Sequence, residues 1–284
     1  MAEYFLRKDL AEGALGFAGD ADTLLRWATA VAEEAPAKAV YRDRDGRKTL
    51  RLQLQGRHYF LKLHSGVGWA EILKNLFQAR LPVLGARNEY RAVRRLNAIG
   101  VDTLALAAYA SRGLNPARKR SMVLSDALTA TTSLEDYCAD WGQRPPPFSE
   151  RVALTVKLAE IARHMHAAGI NHRDFYLCHF HLEEASLTRA TPRCHLIDLH
   201  RAQLRRLTPR RWRIKDLAGL YFSAMDCGLT RRDRLRFIRH YQSGGLRAAL
   251  GEQAQFWRQV EERAAALYRK GNVEAVTPGG KAGA

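Results

Sequence analysis

The chain has 284 residues, 46% hydrophobic and 26% charged, which is the profile of a globular protein large enough to bury a sizeable core as one domain or as two lobes. Its 46 Lys/Arg against 29 Asp/Glu give a net charge of +17, a field that favours an anionic partner. Met1 to Leu10 lack the basic-then-apolar order of a signal peptide, and no apolar run reaches the roughly 18 residues a bilayer span needs, so the expected location is cytoplasmic. Ala39-Val40-Tyr41 reads as a strand running into the turn-like Asp43-Arg44-Asp45-Gly46. Leu50, Leu52 and Leu54 then alternate with Arg51, Gln53 and Gln55, the period-two pattern of a half-buried strand. Gln55-Gly56-Arg57 turns the chain into His58-Tyr59-Phe60-Leu61-Lys62-Leu63, so an antiparallel meander is predicted. Trp69, Ile72, Leu73, Leu76 and Phe77 fall at helical spacing with Pro82 as the stop, a stripe that fits either core packing or docking to a membrane or partner. A second helix spans Glu89 to Ile99 and ends at Gly100. Met122-Val123-Leu124 reads as a short buried strand, and Arg144-Pro145-Pro146-Pro147 breaks the chain. From Glu150 to Ala168, Leu154, Leu158, Ile161 and Met165 form the stripe of a helix capped by Ser149 and closed by Gly169. Helical patterns follow at Lys215 to Met225, Arg231 to Tyr241 and Glu252 to Arg269, and the Gly/Ala-rich tail is predicted to fray.

The expected organisation is therefore a β-rich part at 1–124, a connecting hinge at 125–149, a helical part at 150–276 and a tail at 277–284. Cys138, Cys178, Cys194 and Cys227 are scattered, with no pair at metal-ligand spacing, and read as small core hydrophobes in a reducing compartment. The charge is uneven: Arg201 to His240 hold twelve Lys/Arg against three Asp. Aromatics are not interleaved there as a base-stacking platform requires, so nucleic acid ranks low among the anionic partners.

The residues that carry chemistry are two aspartates in a fixed order. His172-Arg173-Asp174 follows a long helix, where an Asp can orient a hydroxyl and accept its proton. Leu196-Ile197-Asp198 places a second Asp after a short apolar strand, where it can hold magnesium against nucleotide phosphates. Upstream, Lys62 is a single lysine among apolar strand neighbours, and Glu89 stands on the helix that follows. In a kinase such a lysine contacts the α/β-phosphates and pairs with such a glutamate. Taken singly, Lys62 and Glu89 also read as solvated surface residues.

The run His172-Arg173-Asp174-Phe175-Tyr176-Leu177-Cys178-His179-Phe180 resembles the catalytic loop of the lipopolysaccharide core heptose(I) kinases, the WaaP/RfaP family of the Kdo/WaaP superfamily. The same resemblance holds for Leu196-Ile197-Asp198-Leu199-His200-Arg201-Ala202-Gln203, Arg210-Arg211-Trp212-Arg213-Ile214-Lys215-Asp216-Leu217, Gly66-Val67-Gly68-Trp69 and Leu81 to Glu89, in one collinear order over roughly 40–245. It implies an α+β, bilobal protein-kinase-like fold, with a small β-rich N-lobe, a larger helical C-lobe and an ATP cleft between them. It also implies ATP and Mg²⁺ as cofactors and the first heptose of the lipopolysaccharide inner core as acceptor, at the cytoplasmic face of the inner membrane. By position, Asp174 is then the base beside His172 and Arg173, Asp198 a magnesium ligand, Lys62 and Glu89 the nucleotide pair, and Asp216 the brace of the catalytic loop. Asp216 reads equally as an ordinary carboxylate opening a helix.

Three departures stand out. No Gly-x-Gly-x-x-Gly covers the phosphates, Asp198-Leu199-His200 replaces Asp-Phe-Gly, and His179 stands where kinases keep a metal-binding Asn. Only 18 residues separate Asp198 from Asp216, which favours a sugar acceptor over a peptide. Arg201, Arg205, Arg206, Arg210, Arg211 and Arg213 fall inside that span, and their guanidinium forks suit a carboxylated and phosphorylated acceptor. The expected partners are that acceptor, an anionic inner-membrane surface and an acidic protein such as acyl carrier protein. Alternative readings are a kinase for Kdo, a protein-tyrosine kinase, and a non-catalytic basic binding module.

Overall fold

A computed structural model describes residues 2–14, 19–44, 46–77, 83–189 and 191–276. Asp45 of the predicted turn, the helix stop Pro82, the Leu76 side chain and the tail 277–284 lie outside the described residues. The elements run β1 (Glu3–Leu6), α1 (Ala21–Glu34), β2 (Val40–Arg44), β3 (Arg47–Leu54), β4 (Arg57–His64), α2 (Gly68–Phe77), α3 (Arg87–Ala98), β5 (Leu106–Arg112), β6 (Arg120–Asp126), β7 (Thr132–Ser133) and α4 (Leu134–Tyr137). They continue with α5 (Phe148–Ala167), β8 (Ile170–Asn171), β9 (Phe180–Leu182), β10 (Cys194–Leu196), β11 (Gln203–Leu204), α6 (Arg210–Ser223), α7 (Arg231–Tyr241), α8 (Gly245–Leu250) and α9 (Ala254–Val276).

The chain divides into two compact units. One holds 1–98, 103–129 and 198–201, and the other holds 99–102, 130–197 and 202–284. The first is built on an antiparallel sheet in the order β1-β5-β6-β4-β3-β2. Alternation along β4 assigns its faces. Tyr59, Leu61 and Leu63 are buried among Leu24, Leu25 and Ala28 of α1, while Lys62 and His64 point the other way. On that second face Val123 packs with Ala86 and with Tyr90 of α3, and Val123 is directly opposite Lys62 in the ladder. The α3 helix thus covers the Lys62 face and brings Glu89 to it.

The second unit is mostly helical, with α5 packed on α7 and α6 on α9, and two small sheets, β10-β9-β7 and β11-β8. Gly169 closes α5 at φ +78, and a Cβ there would lie 2.0 Å from the Arg205 carbonyl oxygen, so only glycine lets β11 approach β8.

Several sequence expectations need correction. The Ser149 cap is wrong: α5 begins at Phe148 with Pro147 at its N-cap, and Ser149 lies inside the first turn. Asp216 does not open a helix. α6 begins at Arg210 behind Pro209, and the run of arginines hid that start because cations oppose the dipole at a helix N-terminus. The last long helix begins at Ala254, after the turn at Gly251, and not at Glu252. Strand β2 carries Asp43 and Arg44, which the sequence reading gave to a turn.

Candidate active site

In the first unit, Lys62 Nζ donates to Glu89 Oε1 at 2.7 Å and to Asp198 Oδ1 at 3.1 Å. Glu89 is 2% exposed. Burial opposes the Lys62 charge, but Glu89 and then Asp198 outweigh it and hold the ammonium above the ordinary lysine value. His200 Nδ1 lies 2.7 Å from the same Asp198 oxygen. Asp198 has φ +58, a left-handed backbone that Asp tolerates better than most residues and that aims its carboxylate at the end of a strand-to-turn transition.

His64, two residues beyond Lys62 on the same strand face, is 2% exposed, and neither ring nitrogen has a hydrogen-bond partner among the described residues. Burial, then Arg47, Lys62 and His200, push its pKa down to about 3. The sign follows from where the proton goes. As pH falls below the ordinary 6.5, the unfolded chain takes up a proton that the folded imidazole refuses until about 3, so acidification through that window destabilises the fold. We expect His64→Leu to raise Tm at pH 7 by a few degrees, because an unpaired buried polar group costs about 1–3 kcal/mol, and to lessen the Tm loss between pH 7 and pH 5. Thermal melts check both, and a lower Tm at pH 7 would contradict the unpaired imidazole.

In the second unit the His172-Arg173-Asp174 loop is tied down by its backbone. Asp216 sits inside α6, is 1% exposed, and accepts the His172 N–H at 2.7 Å and the Arg173 N–H at 2.9 Å. Arg173 has φ +79, so this clamp holds a strained backbone. Behind Asp216, His166 Nε2 lies 3.3 Å from Oδ2, and His166 Nδ1 lies 3.0 Å from the Tyr241 hydroxyl. Burial pushes the Tyr241 phenol up to about 12. The sequence reading missed His166 and Tyr241. The only signal was a histidine among the buried residues of an amphipathic helix.

Asp174 itself is fixed at both backbone ends. Its N–H donates to His172 Nδ1 at 3.3 Å, and its carbonyl accepts from His179 Nδ1 at 2.7 Å. His172 Nε2 in turn donates to the Ile197 carbonyl at 2.9 Å, and the His172 and His179 rings stack with centroids 5.6 Å apart. His179 Nδ1 is thus committed to the backbone of the loop.

The predicted arginine cluster divides. Arg201 belongs to the first unit; Arg205, Arg206, Arg210, Arg211 and Arg213 belong to the second. Arg205 donates to Asn171 Oδ1 and Gln203 Oε1, Arg210 and Arg213 lie over the Phe256 ring, and Arg206 is exposed. Basic side chains do gather on an aromatic ring here, with Arg173, Arg205, Arg211 and Lys215 set over the indole of Trp212. A cavity of about 460 Å³ inside the second unit is lined by Leu154, Leu158, Leu217, Leu220, Trp257 and others, and none of the predicted site residues lines it.

A lysine held by two carboxylates and an aspartate loop clamped by its backbone are the parts of a phosphoryl-transfer enzyme. Residues 32–241 match the Lipopolysaccharide kinase (Kdo/WaaP) family, and the chain belongs to that family of kinases. Among curated relatives, the lipopolysaccharide core heptose(I) kinase WaaP of Pseudomonas aeruginosa is 50% identical over 240 residues, 84% of this chain and 90% of that protein. The protein of the same name from Escherichia coli K12 is 49% identical over 74% of this chain and 80% of its own length. A solved structure of WaaP in complex with acyl carrier protein is 39% identical, superposes with a TM-score of 0.77, and covers 94% of this chain and 99% of that one.

Proposed function

We propose that the chain transfers the γ-phosphoryl group of ATP to a hydroxyl of the first heptose of the lipopolysaccharide inner core. The observation that carries the reading is the Lys62–Glu89–Asp198 ion-paired group, supported by the Asp216-clamped Asp174 loop and by the 50% identity to a heptose(I) kinase. The fold reading that goes with it is bilobal and protein-kinase-like, with the β-rich and the helical units as its lobes.

The side chains fit the groups this chemistry requires. Among the described residues, no cluster of three or more His, Cys, Asp or Glu could hold a metal by itself. One carboxylate completed by water and substrate phosphates is a donor set magnesium accepts. When bound, ATP supplies the phosphoryl group and magnesium offsets the charge on its phosphates. Asp198 would hold the ion, and Lys62, oriented by Glu89, would contact the phosphates. Asp174 would orient the acceptor hydroxyl and take its proton. His172 and His179 keep the Asp174 backbone in place, a role for His179 that suits its bonded Nδ1 better than metal ligation. Incubation with labelled ATP, Mg²⁺ and inner-core lipopolysaccharide tests the reading: label should enter the acceptor, and a chelator should abolish the transfer. A protein that hydrolyses no ATP and labels no acceptor would sink it.

The site of work in this reading is an anionic membrane surface. No helix among the described residues is long and apolar enough to cross a membrane. Instead α2 leaves Trp69 54%, Leu73 49% and Phe77 90% exposed at successive turns, while Ile72 faces the core. An exposed apolar stripe on a basic protein suits the headgroup boundary of an anionic bilayer. We expect a triple change to Ser at Trp69, Leu73 and Phe77 to weaken co-sedimentation with phosphatidylglycerol vesicles at least about tenfold; unchanged binding would contradict this placement. An acidic carrier protein is the protein partner proposed, on the strength of the net charge of +17 and the carrier complex formed by the 39%-identical WaaP.

A further inference from the structure

The division of the arginine stretch exposes a site. At about 100° per residue, Arg211 and Lys215 share one side of α6, while Arg210 and Arg213 turn toward Phe256 of α9. Trp212 collects the first set. Lys215 Nζ lies 4.4 Å from its ring centroid, and the guanidinium carbons of Arg211, Arg205 and Arg173 lie at 5.5, 5.6 and 5.9 Å. Arg263 of α9 adds its field at Lys215.

Several cations on one indole each gain from the ring quadrupole, yet they repel one another across a few ångströms. At Arg205, Arg211, Lys215 and Arg263 no acidic side chain among the described residues forms an ion pair that would relieve this repulsion. Arg205 is held by two neutral amide oxygens. Arg211, Lys215 and Arg263 form no hydrogen bond or ion pair among the described residues. Desolvation and then Arg263, Arg173 and Arg211 draw the Lys215 ammonium below the ordinary lysine value, and Asp216 is the one neighbour acting in the opposite sense. Arg211, Lys215 and Arg263, gathered in this way without an ion-pair partner among the described residues, are preorganised for an oxyanion from outside.

We infer that Arg211 and Lys215, set around Trp212, together with Arg263, whose charge acts on Lys215, form a subsite for an anionic substituent of the acceptor, a phosphate or carboxylate distinct from the hydroxyl that reacts. The inference rests on the sugar-kinase reading. It assigns the anion to the acceptor because Arg173, which shares the ring, precedes Asp174 in the loop that handles the hydroxyl. Lys215 and Arg263 were outside the cluster the sequence pointed to, and Arg210 and Arg213 are diverted from it.

The test is the double variant Lys215→Ala/Arg263→Ala, compared with the parent protein after thermal melts establish that both are folded. We expect KM for the lipopolysaccharide acceptor to rise about tenfold while KM for ATP stays within about twofold. In calorimetry at constant ionic strength, inorganic phosphate and acetate serve as separate probes. Saturable heat with phosphate marks a phosphate subsite and with acetate a carboxylate subsite, and either should vanish in the variant. An unchanged acceptor KM, no saturable heat with either anion, or equal heat in both proteins would overturn the subsite. Failure of the parent protein to phosphorylate any acceptor would sink the sugar-kinase reading, and the calorimetric arm would still decide the subsite.

Discussion

Asp174→Ala should lower kcat by about 10²- to 10⁴-fold, the range expected when a general base is removed from a hydroxyl-activating position. The effect should fall on transfer and not on folding. The loop's path is set by Asp216 on the His172 and Arg173 amides and by His172 and His179 on the Asp174 backbone, none of which uses the Asp174 side chain. Nucleotide affinity should also survive, because Lys62, Glu89 and Asp198 are untouched. Single-turnover transfer, nucleotide titration and a thermal melt on one preparation separate the three. Turnover at the parent rate would remove Asp174 from the base role.

Asp216→Asn should damage both stability and rate. The substitution is isosteric, but it trades an acceptor oxygen for an NH₂ group that must face either the His172 or the Arg173 amide, donor against donor. Leaving a buried donor unpaired costs about 1–3 kcal/mol, and breaking a buried charged network costs more, so a loss of about 2–4 kcal/mol is expected. The strained Arg173 backbone would then relax, moving Asp174 from its place. Displacement of a reacting group by about 1 Å can cost roughly 10²-fold in rate. Denaturant unfolding and steady-state kinetics check this pair of effects. Parent-like values in both would mean that the clamp on the loop does nothing.

Much of the first unit was legible because period-two alternation is a local property. Leu50, Leu52 and Leu54 on β3, and Lys62 isolated among apolar neighbours on β4, announce their faces without knowledge of the rest of the chain. Strands β1 and β5 were not legible: Glu3–Leu6 is four residues long and gains its place only by pairing with Ala108–Ser111, a partner a hundred residues away. Helix α1 could have been found, since Asp20 caps it by accepting the Thr23 N–H, and Leu24, Leu25, Ala28 and Ala32 recur at helical spacing.

At the site, residue types with a strong chemical reason to be where they are, such as Asp174, Asp198, Lys62 and Glu89, stood out by order and spacing. Of the residues that brace the loop, Asp216 was reached only through the family resemblance, and His166 and Tyr241 were not reached at all, because their meaning is tertiary. His166 joins Tyr241 to Asp216 across helices far apart in sequence. The arginine run likewise reads as one patch, while the helical period sends Arg210 and Arg213 to Phe256 and Arg211 with Lys215 to Trp212.

The most direct measurement is the location of the transferred phosphate. The protein is incubated with labelled ATP and two lipopolysaccharide acceptors, one carrying the inner-core heptoses and one ending before the first heptose, and the products are mapped by fragmentation mass spectrometry. The proposed function predicts one added phosphate on the first heptose and none on the truncated acceptor. Phosphate on the truncated acceptor, on a different sugar, or on protein tyrosine alone would contradict it.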